Sequence, residues 1–436
     1  MRTAIALFTR DLRVRDNPVL AAAHATADRV VPLFVLDDAI LRTAHGRPNR
    51  FGFLAESLRD LDASLREHGS ALFVRRGDWV REVLRVAEEG DAATIHVARD
   101  ISGYAQRRLA RLQEATRVGV AVHDSITVVP PPAFGKPYVV FTPYYNRWLD
   151  TSWRELAPVP RRLRLPEDIE IGALPRGVSP GQWHGGERAG LASLKAWTPR
   201  GLRGYAVGRD DAGADATSRL SPYLHFGCVS ALEVASRLWD RPGSTEFLRQ
   251  LCWRDFYAQL LSWRPNLSRD DVRPGTAPLW RNAPGDFEAW KAGRTGFPFV
   301  DAGMRQLHAE GWMPNRVRMV AASFLTRDLR IDWREGARHF MDLLVDGDVA
   351  NNQLNWQWVA GTGTDANPHR VLNPTVQGRD HDPDGAYVRR WIGELRDVAT
   401  SVDVHDPPFD VRRAARYPEP IIDHREAIEM WRASRR

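Results

Sequence analysis

A chain of 436 residues is longer than one ordinary domain and predicts two or three. Hydrophobic residues at 43% supply packed cores and exclude wholesale disorder; two cysteines, Cys228 and Cys252, exclude a disulfide framework and lack metal-ligand spacing, as in a reducing cytosol. The net charge of +6 rests on Arg far more than Lys. A guanidinium grips two phosphate oxygens at once, yet an arginine-rich chain need not bind nucleic acid, so charge alone leaves both readings open. The N-terminus, MRTAIALFTRDLR, has no signal-peptide pattern, and no apolar stretch is long enough to cross a membrane, which predicts a cytoplasmic protein.

In residues 1–129, β-branched runs alternate with amphipathic stretches. Ala6–Phe8, Val30–Leu36, Ala71–Val74 and Thr94–Ala98 read as buried parallel strands; Asn17–Ala27, Asn49–His68, Trp79–Glu89 and Gly103–Val118 read as helices. This alternation predicts a Rossmann-like α/β domain with a doubly wound parallel sheet, although neither G-x-G-x-x-G nor a phosphate loop is present. Residues 130–190, rich in Pro, Gly and Arg, read as an interdomain linker. From 191 to 436 strand signals nearly vanish and apolar spacings of three and four predict a large all-α domain. Of 16 tryptophans, eleven lie from Trp239 onward, which suits core packing, stacking surfaces or electron relays alike.

Three clusters in the helical part could carry chemistry. TSRLSPYLHFGCVS, starting at Thr217 with Tyr205 upstream, sets Thr217, Ser218 and Ser221 beside a helix start, where hydroxyls hold a phosphate or simply cap the helix. GWMPNRVRM places Asn315, Arg316 and Arg318 on adjacent turns, either facing a ligand or forming a solvated basic face. DGDVANNQLNWQWVAGTGTD, Asp346 to Asp365, puts carboxylates, amides and two Trp in an otherwise apolar domain, a costly arrangement unless they bind something. No His, Cys or Glu completes a ligand set around the Asp pair, so no metal is expected.

In order and spacing these clusters resemble the photolyase/cryptochrome family, closest in pattern to bacterial class I enzymes that repair cyclobutane pyrimidine dimers. The opening FTRDLRVRDNP, TGFPFVDAGMRQL, the DWREG stretch and the closing WIGEL and YPEPIIDHREA agree, so the resemblance covers essentially the whole chain. It implies an FAD in the helical domain. Tyr205, Thr217, Ser218, Arg219, Leu220 and Ser221 would hold its pyrophosphate. Gln250, Trp312, Asn315, Arg318, Asp346, Gly347, Asp348 and Asn352 would contact the rest, with Arg318 paired to Asp346 and Asn352 facing flavin N5. It further implies light-driven electron transfer from reduced FAD to a dimer in UV-damaged DNA. Photolyases are among the enzymes that flip their target out of the duplex to reach it. Trp253, Met319 and Trp358 would meet the lesion, and Arg209, Arg254, Arg316 and Gln377 would hold the DNA. Trp356, Trp333 and Trp280 would relay electrons from the flavin to the surface.

Three positions depart from the dimer-repair pattern: Gln250 stands for a Glu, Pro314 for a His, and Asp380 for a Lys. A Gln at the first position also occurs in 6-4 photolyases, but those require His at the Pro314 and Met319 positions. The resemblance also implies an antenna pigment in the α/β domain near Arg50 and Asp100, 8-hydroxy-deazaflavin ahead of methenyltetrahydrofolate, and a monomeric protein. The competing readings are a cryptochrome-type blue-light receptor, a 6-4 photolyase, and a DNA-binding module without chemistry, which leaves the Asp346–Asp365 cluster unexplained.

Overall fold

The first apolar run, TAIALF, forms strand β1 (Thr3–Phe8), and all six residues are buried. That is the pattern of a parallel strand covered on both faces, where each fully buried Leu or Phe stabilises by about 1.5–3 kcal/mol. The computed structural model describes residues 1–434 apart from 44–45, 168 and 277–278. β1 pairs in parallel with β2 (Arg29–Asp37) on one side and β4 (Ala92–Ala98) on the other; β3 (Phe73–Gly77) and β5 (Gly119–His123) complete the order β3-β2-β1-β4-β5. Strand order therefore reverses between β1 and β4. In such sheets a crevice opens outside the carboxyl ends of the two strands at that point.

Helices α1 (Pro18–Thr26), α2 (Pro48–Glu67), α3 (Trp79–Glu89) and α4 (Gly103–Ala115) follow the expected order, and three of the four start on a side-chain cap. Asn17, Asp78 and Ser102 accept from the backbone N–H of Leu20, Arg81 and Ala105. Two expectations need correction. The helix expected to reach Val118 stops at Ala115, and the chain turns into β5, an edge strand whose residues are only half-buried or exposed. The stretch 130–190 also contains a helix, Phe141–Leu149, seated by the buried Phe141, Tyr144 and Trp148.

By internal contacts the chain divides into two compact units. One comprises Met1–Thr198, Arg219–Asn266 and Val345–Ala350, so that α5 (Ser221–Phe226) and α6 (Ser244–Trp263) belong with the sheet. The other comprises Pro199–Ser218, Leu267–Leu344 and Asn351–Arg436. Its helices include α7 (Pro298–Glu310), α8 (Asn315–Ser323), α9 (Trp333–Leu343) and most of α10 (Val349–Ala360). They pack around Trp290, Met304, Val317, Trp333, Phe340 and Trp356. The helical half expected from the sequence is present, and among the described residues no helix is long and apolar enough to cross a membrane.

Candidate functional site

In the sheet-bearing unit, the switch point brings together residues far apart in sequence. Arg10 follows β1 and Asp100 follows β4. Arg10 donates from Nε to the His225 carbonyl oxygen at 3.1 Å, pairs through Nη2 with Asp348, and lies 3.6 Å from Asp100. His225 Nδ1 is 3.8 Å from Asp348. Burial alone pushes the Asp348 carboxyl up, but the Arg10 charge, joined by His225 and Arg254, outweighs it and holds the group well below the usual carboxylate range. Burial lowers the His225 pKa, outweighing its carboxylate neighbour, so this imidazole is neutral near pH 7. Asp348 is thus an anionic acceptor in a buried place.

Asp100 also borders a small cleft with Thr9, Trp79, Ala98 and Arg108, where the Arg108 guanidinium stacks 4.1 Å over the Trp79 ring and bonds Asp37 at 3.1 Å. Thr9 Oγ1 is buried there without a hydrogen-bond partner. Arg50 is buried on α2 and does not line this cleft.

On α6, Gln250 is half-buried. Trp253 lies flat against Phe141, ring centroids 3.7 Å apart and 3° from parallel, so one indole face is already covered. Arg254, expected at DNA, points inward: its guanidinium donates to the carbonyl oxygens of Ile126 (2.6 Å) and Leu224 (3.1 Å). A buried guanidinium bonded to two carbonyls serves as a cross-link, and that corrects its expected role. Arg219 has a positive φ of 50°, Leu220 is buried, and Ser221 is exposed at the first turn of α5.

In the helical unit, Tyr205 and Trp312 are buried, and Thr217 Oγ1 is buried with no hydrogen-bond partner. Arg318 donates to the Met313 carbonyl oxygen at 2.9 Å with its guanidinium 6.0 Å from the Trp312 ring centre. Asn315 is exposed, its amide 3.6 Å from the Met319 sulfur. Arg316 places Nε and Nη2 on one oxygen of Asp210, at 3.1 and 3.0 Å, while Arg209 approaches the same carboxylate at 3.8 Å. The two arginines expected at phosphate thus share an internal anion. Gln377 Oε1 is buried without a partner, and Trp358 is half-buried under the Arg370 guanidinium at 5.1 Å.

Asn352 is buried and donates from Nδ2 to the Ala337 carbonyl oxygen at 3.0 Å. Trp356 and Trp333 are both buried in the main core, and Trp280 packs half-buried against it. Its neighbours 277–278, in the segment expected to be exposed, lie outside the described residues. Trp333 donates to Asp271 at 2.8 Å. The Trp356 ring meets Phe340 and Trp290 edge-on and presses on α9 at Gly336, where an added Cβ would come within 2.3 Å of it.

Sequence reasoning missed Arg10, His225, Asp210 and Gly336. The one available signal was charge density in FTRDLRVRDNP. Each unit offers a polar group that suits a polar cofactor: in the helical unit Thr217 is a buried donor with nothing to donate to, and in the sheet-bearing unit Asp348 is a buried anion. Asp346 lies buried two residues before it.

Comparison with known proteins agrees. Residues 4–163 match the DNA photolyase family model, and residues 247–435 match the FAD binding domain of DNA photolyase. A Streptomyces griseus protein named deoxyribodipyrimidine photo-lyase is 50% identical, over 100% of this chain and 99% of its own. A Sulfolobus tokodaii photolyase solved with two FAD molecules superimposes with a TM-score of 0.89 at 31% identity, covering 100% of this chain and 99% of that one. A Synechocystis cryptochrome superimposes with a TM-score of 0.91 at 27% identity, covering 99% of each chain. The fold and the matched domains define a light-dependent flavoprotein lyase or its receptor kin. The chain belongs to the DNA photolyase family and carries that family's FAD-binding domain.

Proposed function

We propose that this chain is a photolyase that uses blue light to repair cyclobutane pyrimidine dimers in UV-damaged DNA. The observation that carries the reading is the end-to-end identity of 50% with a protein named for that activity. Bound reduced FAD supplies the light-driven electron. The residues of the chain bind, orient and exclude water, which is where a cofactor enzyme's protein contributes.

In this reading residues 1–129 form the antenna-binding domain, 130–190 the linker, and 191–436 the FAD- and DNA-binding domain. Tyr205, Thr217, Ser218, Arg219, Leu220 and Ser221 contact the pyrophosphate. Trp312, Asn315, Arg318, Asp346, Gly347, Asp348 and Asn352 contact the remainder of the cofactor, and Gln250 lies between cofactor and lesion. Trp253, Met319 and Trp358 meet the lesion, while Arg209, Arg316 and Gln377 act on the DNA strand. Trp356, Trp333 and Trp280 relay electrons. An antenna, 8-hydroxy-deazaflavin ahead of methenyltetrahydrofolate, binds near Asp100 and Arg50. The protein acts as a cytoplasmic monomer, and its DNA affinity falls steeply with salt.

Pro314 and Met319 supply none of the histidines that 6-4 repair uses. Reduced protein under blue light should therefore restore a strand carrying a cyclobutane dimer and leave a 6-4 lesion intact. The cryptochrome likeness in fold supports a second reading, a light receptor without repair. Flavin photochemistry with neither lesion repaired would select that receptor and remove the repair reading.

A further inference from the structure

We propose that Arg10 is a positioning residue that aims the Asp348 carboxylate for FAD and ties it to the sheet's carboxyl edge through Asp100. The inference rests on the assignment of Asp348 to FAD binding made above. It adds a residue from the opposite end of the chain that the sequence motifs did not single out.

Three observations carry it. Arg10 has its guanidinium divided among three groups from three segments: the His225 carbonyl oxygen on α5, Asp348, and Asp100 after β4. Its side chain is only 20% exposed and that of Asp348 only 7%, so the pair sits where water screens little and removing one partner leaves a buried charge. The crevice at the β1/β4 switch point is where α/β sheets place ligands, and Arg10 projects from β1's carboxyl end there.

The division of donors matters. One guanidinium nitrogen reaches Asp348 and another the His225 carbonyl, so Arg10 fixes both the carboxylate and the α5 backbone beside it. A Lys ammonium could supply the charge but not this planar fork. The described groups that bear most on Asp348 are Arg10 from the end of β1, His225 from α5 and Arg254 from α6. Asp100 bears on it through Arg10, and Arg50 on α2 bears on His225. Among the described contacts Arg10 is the cation bonded to Asp348, while Arg254, whose N–H groups go to two carbonyls, bears on it through its charge. Without Arg10 the largest of the influences that hold the carboxyl down is gone, while burial still pushes it up.

The test is FAD affinity in the dark, measured by flavin fluorescence as a function of pH in wild type, Arg10→Met, Arg10→Lys and Asp348→Asn. Wild type should bind with an affinity flat from pH 8 down to pH 5. Arg10→Met should bind about tenfold more weakly at pH 8, the equivalent of about 1.4 kcal/mol, and lose affinity further as pH falls. Arg10→Lys should recover most of the pH independence with a smaller loss, and Asp348→Asn should be weak and pH-flat. Should Arg10→Met fail to fold, Arg10→Gln carries the same expectation. An Arg10→Met profile as flat as wild type, or equal losses in Met and Lys variants, would overturn the inference. Full affinity in Asp348→Asn would instead remove the assignment of Asp348 on which it rests.

Discussion

Asn352 gives its amide N–H to the Ala337 carbonyl oxygen, so its amide oxygen is the group left to meet a ligand. Replacing it with Asp removes that donor and adds charge, and replacing it with Ala removes both ends. Each change should alter the spectrum of the flavin form that accumulates under illumination; spectra identical to wild type would mean this side chain does not touch the flavin. Trp333 offers a second residue-level prediction. Its indole is fully buried and bonded to Asp271, which keeps a second partner in Arg334 at 3.1 Å. Trp333→Phe should therefore cost about 1 kcal/mol for the lost hydrogen bond and about 1–2 kcal/mol more for the space left by the smaller ring. Indole is readily oxidised and benzene is not, so the variant should nearly lose light-driven reduction of oxidised FAD while chemically reduced enzyme still repairs DNA. Reduction at the wild-type rate would eliminate the relay. At this scale the sequence was only half legible. Arg254 looked like a phosphate ligand because a guanidinium's partners are invisible until the fold brings up the carbonyls of Ile126 and Leu224.

Among the elements, α5 ends in Gly227, whose φ is 67° and whose place leaves no room for a side chain: an added Cβ would lie 1.9 Å from the Arg10 carbonyl oxygen. Gly227→Ala should combine the left-handed penalty with displacement of the Arg10 backbone, a loss of at least about 2 kcal/mol. A melting temperature within experimental error of wild type would contradict this. The regular elements were the most legible part of the sequence. Short apolar runs announced β1 to β4, and amphipathic spacing announced the helices between them. β5 escaped because the helix expected over Gly103–Val118 ran up to its first residue, and its five residues form a short edge strand that is half-buried or exposed. The Phe141–Leu149 helix escaped because no side chain caps it and prolines surround it; its seat is Trp253, over a hundred residues on.

For the molecule as a whole, buried carboxyls set the pH response. Glu187 accepts from the backbone N–H of Val14 (2.8 Å) and Arg15 (3.1 Å), yet burial outweighs these bonds and pushes its pKa from 4.5 up to about 7. Between those values the folded state holds a proton that the unfolded state has released. Its contribution is therefore complete below pH 4.5 and is lost as pH rises through 7, amounting to roughly 3 kcal/mol. Glu187→Gln should flatten the fall in melting temperature between pH 5 and pH 8; an unchanged slope would assign that fall to other groups. The two-part architecture was legible from periodicity alone. The assignment of 219–266 and 345–350 to the sheet-bearing unit was not, because their partners lie far away in the chain.

That last segment has a consequence in time. Arg10 and Asp348 are separated by 338 positions, so a ribosome that has just released Arg10 must extend the chain through most of its remaining length before the partner appears. At ordinary translation rates this is a wait of roughly 17–70 s. The sheet can form early, since its last strand ends at His123. Through that interval the nascent protein carries an arginine at its central crevice with Asp100 as its available carboxylate. A stalled or truncated chain ending before residue 345 keeps that crevice unfinished, however well its strands have paired.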